Sequence, residues 1–149
     1  METIREVLEN KGFDVYSTTI HATVDDAVVE MCRVKVGALL VVDDLGHPAG
    51  MLSERDLLIR VLLAHRDPAK TMVRDVMTPK VVCVREDQTI EGALALMTNA
   101  RCRHLPVVRD EDDEVIGVVS VGDLARVTLG DHEHEIEALH AYVEGRYPG

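Results

Sequence analysis

Apolar residues in two stretches of the chain fall at helical spacing: Ala27, Met31 and Val34 in one, Ala93, Met97 and Ala100 in the other. Each stretch begins with a threonine, Thr23 or Thr89, able to cap the helix that its apolar stripe predicts. Short Val-rich runs then change the period. ALLVVDD and LPVVRD end in turn residues and predict strands. HPAGML and EVIGVV, reached across a tight acidic or Gly-containing turn, predict the return arms of hairpins. Ser53 and Ser120 follow as caps of second helices, with apolar stripes at Leu57, Leu58, Val61 and Leu62 and at Leu124 and Val127. Upstream, VYSTTI and VVCV predict one more strand each. The order strand, helix, strand, strand, helix therefore occurs twice.

The two halves also match by residue. TVDDAVVEMCRVKVGALLVVDD, Thr23 to Asp44, aligns without a gap to TIEGALALMTNARCRHLPVVRD, Thr89 to Asp110. After one inserted residue, Gly50 to Ser53 matches Gly117 to Ser120. The lead-in IREVL (Ile4 to Leu8) corresponds to VRDVM (Val73 to Met77). Self-similarity of this kind marks one supersecondary unit used twice. The expected boundaries are 1–66 for the first repeat with its lead helix, 67–130 for the second with its linker, and 131–149 for a C-terminal helix and tail. That last helix carries the stripe Ile136, Leu139, Val143 and stops at Gly145. His65 to Lys80, bracketed by Pro68 and Pro79, reads as a connector. A repeat of about 65 residues buries little surface alone. The expected fold is α/β of the α+β type: two β-α-β-β-α repeats about a pseudo-two-fold axis. Their sheets face inward and their helices lie outside, giving one core and two equivalent clefts.

Composition narrows the chemistry. The chain has 149 residues, and with 3% aromatics and no Trp its core must be aliphatic. A net charge of -11 argues against nucleic acid, whose phosphates call for a basic face. The acidic run Asp110 to Glu114, and the acids around Glu133, Glu135 and Glu137, read as solvated turns and helix faces. No secretory h-region opens the chain, and no apolar run approaches the ~18 residues of a membrane span, which predicts a cytoplasmic protein without a membrane partner. Cys32, Cys83 and Cys102 lack C-x-x-C spacing and read as reduced, mostly buried thiols.

The candidate chemistry lies in GMLSERDLL and GVVSVGDLA, where Ser53-x-x-Asp56 and Ser120-x-x-Asp123 repeat in matching surroundings. Either could be a helix cap with an acid favoured by the dipole. The same geometry lets a carboxylate accept both hydroxyls of a ribose, while free backbone N–H groups receive an anion. Repetition does not choose between them, because duplicating a fold duplicates its caps.

Taken together, VGALLVVDD…GMLSERDLL, VRDVMTPKVVCV and RHLPVVRD…GVVSVGDLA resemble a tandem pair of cystathionine-beta-synthase (CBS) domains, a Bateman module, over Ile4 to Thr128. The resemblance implies that Asp56 and Asp123 hold the ribose of an adenosine ligand: AMP, ADP, ATP, NAD or S-adenosylmethionine. It implies sites built across the pair, with Asp56 and Ser53 facing Thr78, Lys80, Val81 and Val82, and Asp123 and Ser120 facing Val15 and Tyr16. Arg103 and His104 match positions where the family places phosphate-binding residues; the first repeat has Gly37 and Ala38 there, leaving the role to Arg55 and Lys80. Leu40 stands where the second repeat has Pro106, and Gly122 limits what the second motif contacts through side chains. A homodimer is also implied, with output passing to a separate effector protein.

His132 and His134 are two residues apart and His140 has no partner at i,i+4, so an exposed tail is expected rather than a metal site. Nucleotide-binding and metalloprotease signatures are absent: G-x-x-x-x-G-K-[ST], G-x-G-x-x-G and H-E-x-x-H do not occur. The sequence thus predicts a regulatory, non-catalytic binder of an adenosine nucleotide that needs no further cofactor. Its rivals are a dimeric scaffold with empty clefts and, last, a small nucleotide-hydrolysing enzyme.

Overall fold

The computed structural model describes residues 2–129. The C-terminal stripe, the three tail histidines and the acids around Glu135 lie outside the described residues. Two compact units emerge. One is the continuous stretch Val15–Val81. The other joins the chain up to Asp14 with the chain from Val82 onward.

The Val15–Val81 unit runs β1 (Ser17–Thr19), α2 (Val24–Val34), β2 (Ala38–Val42), β3 (Pro48–Ser53), α3 (Glu54–Asp56) and α4 (Val73–Val76). Helix α1 (Ile4–Lys11) belongs to the other unit, with β4 (Val84–Arg85), α5 (Ile90–Ala100), β5 (His104–Val108), β6 (Val115–Ser120) and α6 (Val121–Leu129). Both sheets have three strands: β1 runs parallel to β2 and β3 antiparallel to it, and β4, β5 and β6 repeat that pattern. Even the register irregularity recurs, at Val41/Val42 and at Val107/Val108. The fold is therefore the expected α+β arrangement of two repeats.

The local signals act as the sequence predicts. The Thr23 hydroxyl accepts from the Asp26 N–H at 3.2 Å and Thr89 from the Gly92 N–H at 3.0 Å, capping α2 and α5. Both helices end in a left-handed residue, Lys35 and Arg101, before turning into the sheet. Strands β2 and β5 present Leu39, Val41, Leu105 and Val107 to their cores with almost no exposure. Past α3 the chain continues as a π-helix over Leu57–Leu62, and here the predicted stripe fails. Only Val61 is buried; Leu58 and Leu62 are 56% and 62% exposed.

The lead-in segments cross over. Sequence order groups the first with the repeat it precedes, but packing puts it on the second. In α1, Ile4 and Arg5 donate backbone N–H groups to Gln88 and Glu86 at 2.9 Å each, and Ile90 N–H reaches Glu2 O at 3.3 Å. The same pattern ties the second lead-in to the first repeat: Val73 N–H donates to Ala22 O at 2.8 Å and Val24 N–H to Thr71 O at 2.9 Å. Much of the expected connector is thus part of a unit, with Val73 and Val76 fully buried.

Each unit has its own core cluster, where the small size of a repeat suggested one core shared by both. Ile4, Val7 and Leu8 join Val84, Ala93, Met97, Leu105, Val119 and Leu124 in one. Val73 and Val76 join Val24, Ala27, Met31, Leu39, Leu52 and Val61 in the other. The lead-ins supply apolar area that a bare repeat lacks. The three thiols are free, yet none is buried: Cys32 is exposed, and Cys83 and Cys102 are half-buried.

Candidate functional site

In the Val15–Val81 unit the motif sits where β3 passes into α3. Ser53 is the last strand residue, with φ -111° and ψ 165°, so its N–H and hydroxyl both face the first helical turn. Asp56 Oδ2 accepts from the Ser53 N–H at 2.9 Å and from its hydroxyl at 3.1 Å; the Asp56 N–H donates to Ser53 Oγ at 3.3 Å. That is a complete capping box. The other oxygen, Oδ1, accepts from Thr78 Oγ1 at 3.0 Å. Thr78 is held there by two backbone hydrogen bonds with Met51, at 2.8 and 3.0 Å.

The expected partner Thr78 therefore meets Asp56, while Arg55 and Lys80 are exposed and form no ion pair with it. The cation beside Asp56 is Arg60, which the sequence reading missed. Its Nε stands 4.0 Å from Oδ1 and its Nη1 donates to Met77 O at 2.6 Å. It lies one helical turn after Asp56, so the i,i+4 spacing was a usable signal. Val81 is the last residue of this unit, and Val82 belongs to the other.

In the other unit the box is rebuilt at the junction of β6 and α6. The Ser120 N–H donates to Asp123 Oδ2 at 2.8 Å, and the Asp123 N–H to Ser120 Oγ at 3.1 Å. Here Oδ2 also receives a charge. Lys11, at the end of α1, donates from Nζ to Asp123 Oδ2 at 2.7 Å and to the Val118 carbonyl. Burial pushes the Asp123 pKa up, but hydrogen bonds from Lys11 and Ser120 and the ammonium charge outweigh it and hold the carboxyl below its usual range.

His104 opens β5 directly opposite Ser120 in the ladder. Its pKa is lowered, first by burial and then by Lys11 and Arg103, with Asp123 opposing. Lys11, Arg103, His104 and Asp123 thus share one electrostatic neighbourhood. Arg103 is exposed and forms no ion pair among the described residues. Gly122 leaves open space: a Cβ there would have only Ser120 Oγ, at 3.7 Å, within contact. Val15 and Tyr16 lie in the Val15–Val81 unit, where Tyr16 O accepts from the Leu40 N–H at 3.1 Å.

Lys11 was not among the residues expected from sequence. The lead-in alignment, continued three residues past Leu8 and Met77, pairs Lys11 with Lys80, but Lys80 forms no ion pair with Asp56, so the alignment does not place Lys11 at Asp123. What hid Lys11 is that α1 precedes the first repeat in sequence but packs in the unit of the second. Among the described residues, no group of three His, Cys, Asp or Glu side chains could hold a metal ion. No described helix is long and apolar enough to cross a membrane.

Comparison with known proteins gives a consistent picture. The CBS domain family model matches twice, at residues 4–63 and 73–130. The chain is 36% identical over 153 residues to the CBS domain-containing protein CBSX3, mitochondrial, of Arabidopsis thaliana, covering 97% of this chain and 73% of that one. Among solved structures, a protein with CBS domains from Burkholderia ambifaria superposes with a TM-score of 0.82 at 36% identity, over 88% of this chain and 96% of the other. A CBS-domain containing protein from Agrobacterium tumefaciens gives 0.78 at 28% identity, over 85% and 92%.

Proposed function

This chain belongs to the CBS-domain family, whose paired repeats are commonly regulatory ligand-binding modules, and we propose that it binds an adenosine-containing ligand through its two Ser-x-x-Asp motifs. The observation that carries this reading is the state of the motif carboxylates. Both are about nine-tenths withdrawn from solvent, fixed by a serine N–H at a strand-to-helix junction. Asp123 additionally keeps Oδ1 clear of hydrogen bonds among the described residues, with Arg126 Nη1 at 3.7 Å as its nearest ion-pair partner. A ribose hydroxyl can donate to that oxygen without dismantling the cap. Backbone N–H groups at the start of α6 and the cations near Asp123 suit a phosphate.

Output is conformational in this proposal. A ligand with unequal affinity for two arrangements of the protein shifts their populations, and a separate effector reads the shift. A second copy of the chain is the expected assembly partner, and the exposed Leu58, Ile59, Leu62 and Leu63 offer apolar surface for it. Turnover of the ligand is not part of the proposal, since CBS-domain proteins are generally regulatory rather than catalytic.

Thermal denaturation with AMP, ADP, ATP, NAD and S-adenosylmethionine tests the reading, beside Asp56→Asn and Asp123→Asn. At ~100 times its dissociation constant a ligand adds about 2.7 kcal/mol to the native state. A rise in Tm that one of the two substitutions abolishes supports a ribose site at that motif. No shift with any compound would leave both motifs as helix caps and favour a scaffold.

A further inference from the structure

Lys11 performs in one unit what Thr78 performs in the other, and the exchange changes the charge of the site. By the repeat alignment Val118 corresponds to Met51, and Asp123 to Asp56. Thr78 satisfies Met51 O with its backbone N–H and Asp56 with its hydroxyl. In the other unit the Lys11 ammonium satisfies the equivalent carbonyl, Val118 O, and the equivalent carboxylate, there through Oδ2, the oxygen that Ser120 N–H also holds. A cation has replaced a neutral residue.

The reason is written in the two lead-ins. Pro79 disfavours helical backbone at the residue before it, so α4 ends at Val76 and the chain is already extended at Met77. Thr78 then runs beside β3 and bonds through its main chain. The first lead-in has no proline: α1 continues to Lys11 and closes at Gly12, whose φ is 113°. The main chain is then consumed by its own helix, and a long side chain makes the bridge instead.

We propose that Lys11 is the specificity-determining residue of the Asp123 site, selecting nucleotides with 5′-phosphates over uncharged nucleosides. The proposal rests on the ribose reading above. A bare carboxylate beside the sugar would repel the phosphates that follow it. Lys11 cancels that charge, and with two of its three N–H donors used one remains for a ligand oxygen. Arg103, free of any carboxylate among the described residues, is then available to the phosphates. At the Asp56 site the hydrogen-bond partner is the neutral Thr78, Gly37 and Ala38 stand in place of Arg103 and His104, and Arg60 comes only to 4.0 Å, so the selection is weaker there.

Calorimetric titration with adenosine, AMP and ATP, in an Asp56→Asn background, isolates this site. The ratio of ATP to adenosine affinity should fall about tenfold in Lys11→Gln, which keeps a donor but loses the charge. It should hold within about threefold in Lys11→Arg. Should Lys11→Gln fail to fold, Lys11→Met, which keeps the aliphatic stem, takes its place. An unchanged ratio in the uncharged variants, with adenosine still bound, overturns the proposal and leaves the ribose reading standing. If the Asp56→Asn parent binds none of the three, the ribose reading of this site fails and Lys11 selectivity fails with it.

Discussion

His104 shows how one residue reports its surroundings. Burial and two neighbouring cations depress its pKa, so the unfolded chain takes up a proton near pH 6.5 that the folded chain accepts only in more acidic solution. Across that window acid favours the unfolded state. Stability should therefore fall as pH drops below about 6.5 and recover above it. Urea midpoints measured on either side of the window should show this loss, and His104→Gln should flatten it. Asp123 behaves in the opposite range. Its lowered pKa contributes stability above the ordinary carboxylate range that disappears only under stronger acid. Gly122 is a second residue with a clear expectation. Helix geometry favours alanine, and a Cβ there meets nothing closer than 3.7 Å. Gly122→Ala should stabilise the protein by roughly 0.5–1 kcal/mol, visible as a raised Tm without ligand.

At the scale of elements, the glycine that opens each motif turns out to serve packing. A Cβ on Gly50 would lie 2.5 Å from the Thr78 carbonyl oxygen and 2.8 Å from Met77 Sδ; on Gly117 it would lie 2.7 Å from Leu8 Cδ2. Leu8 and Met77 are equivalent residues of the two lead-ins. Each glycine thus admits the end of a lead-in segment against the strand before the Ser-x-x-Asp. Gly50→Ala meets backbone rather than a side-chain tip. It should cost about 1–3 kcal/mol in urea unfolding and loosen the Thr78 to Asp56 contact. Gly117→Ala meets only a leucine tip, so Leu8→Ala should recover part of its cost; an additive double variant would contradict this packing. The helix caps needed no such partner. Thr23, Thr89, Ser53 and Ser120 are legible from sequence because a cap and its N–H donor lie within three residues.

For the whole molecule, the crossing of the lead-ins decides which parts stand or fall together. Ile4, Val7 and Leu8 are fully buried in the core of the second repeat's unit. Removing Met1 to Asp14 should strip that unit of about 1.5–3 kcal/mol for each of these side chains, enough to compromise a typical domain. Hydrogen exchange should then lose protection in α5, β5 and β6 while β2 and β3 keep theirs. Protection lost first from Val15–Val81 would place α1 with the repeat that it precedes in sequence.

Periodicity, caps and turn residues act over a few positions, so the sequence by itself determined the order of strands and helices, the duplication, and the capping geometry of both Ser-x-x-Asp motifs. The pairing of Thr78 with Asp56 followed from family resemblance. Tertiary structure alone decided what depends on distant residues meeting. It set the exposure of Leu58 and Leu62, the exchange of lead-ins between repeats, and the arrival of Lys11 at Asp123 from the far end of the chain. No local pattern encodes that last contact. It arises because a buried face of α1 fits beside Gly117, and the helix that follows from that fit carries its final side chain to the carboxylate.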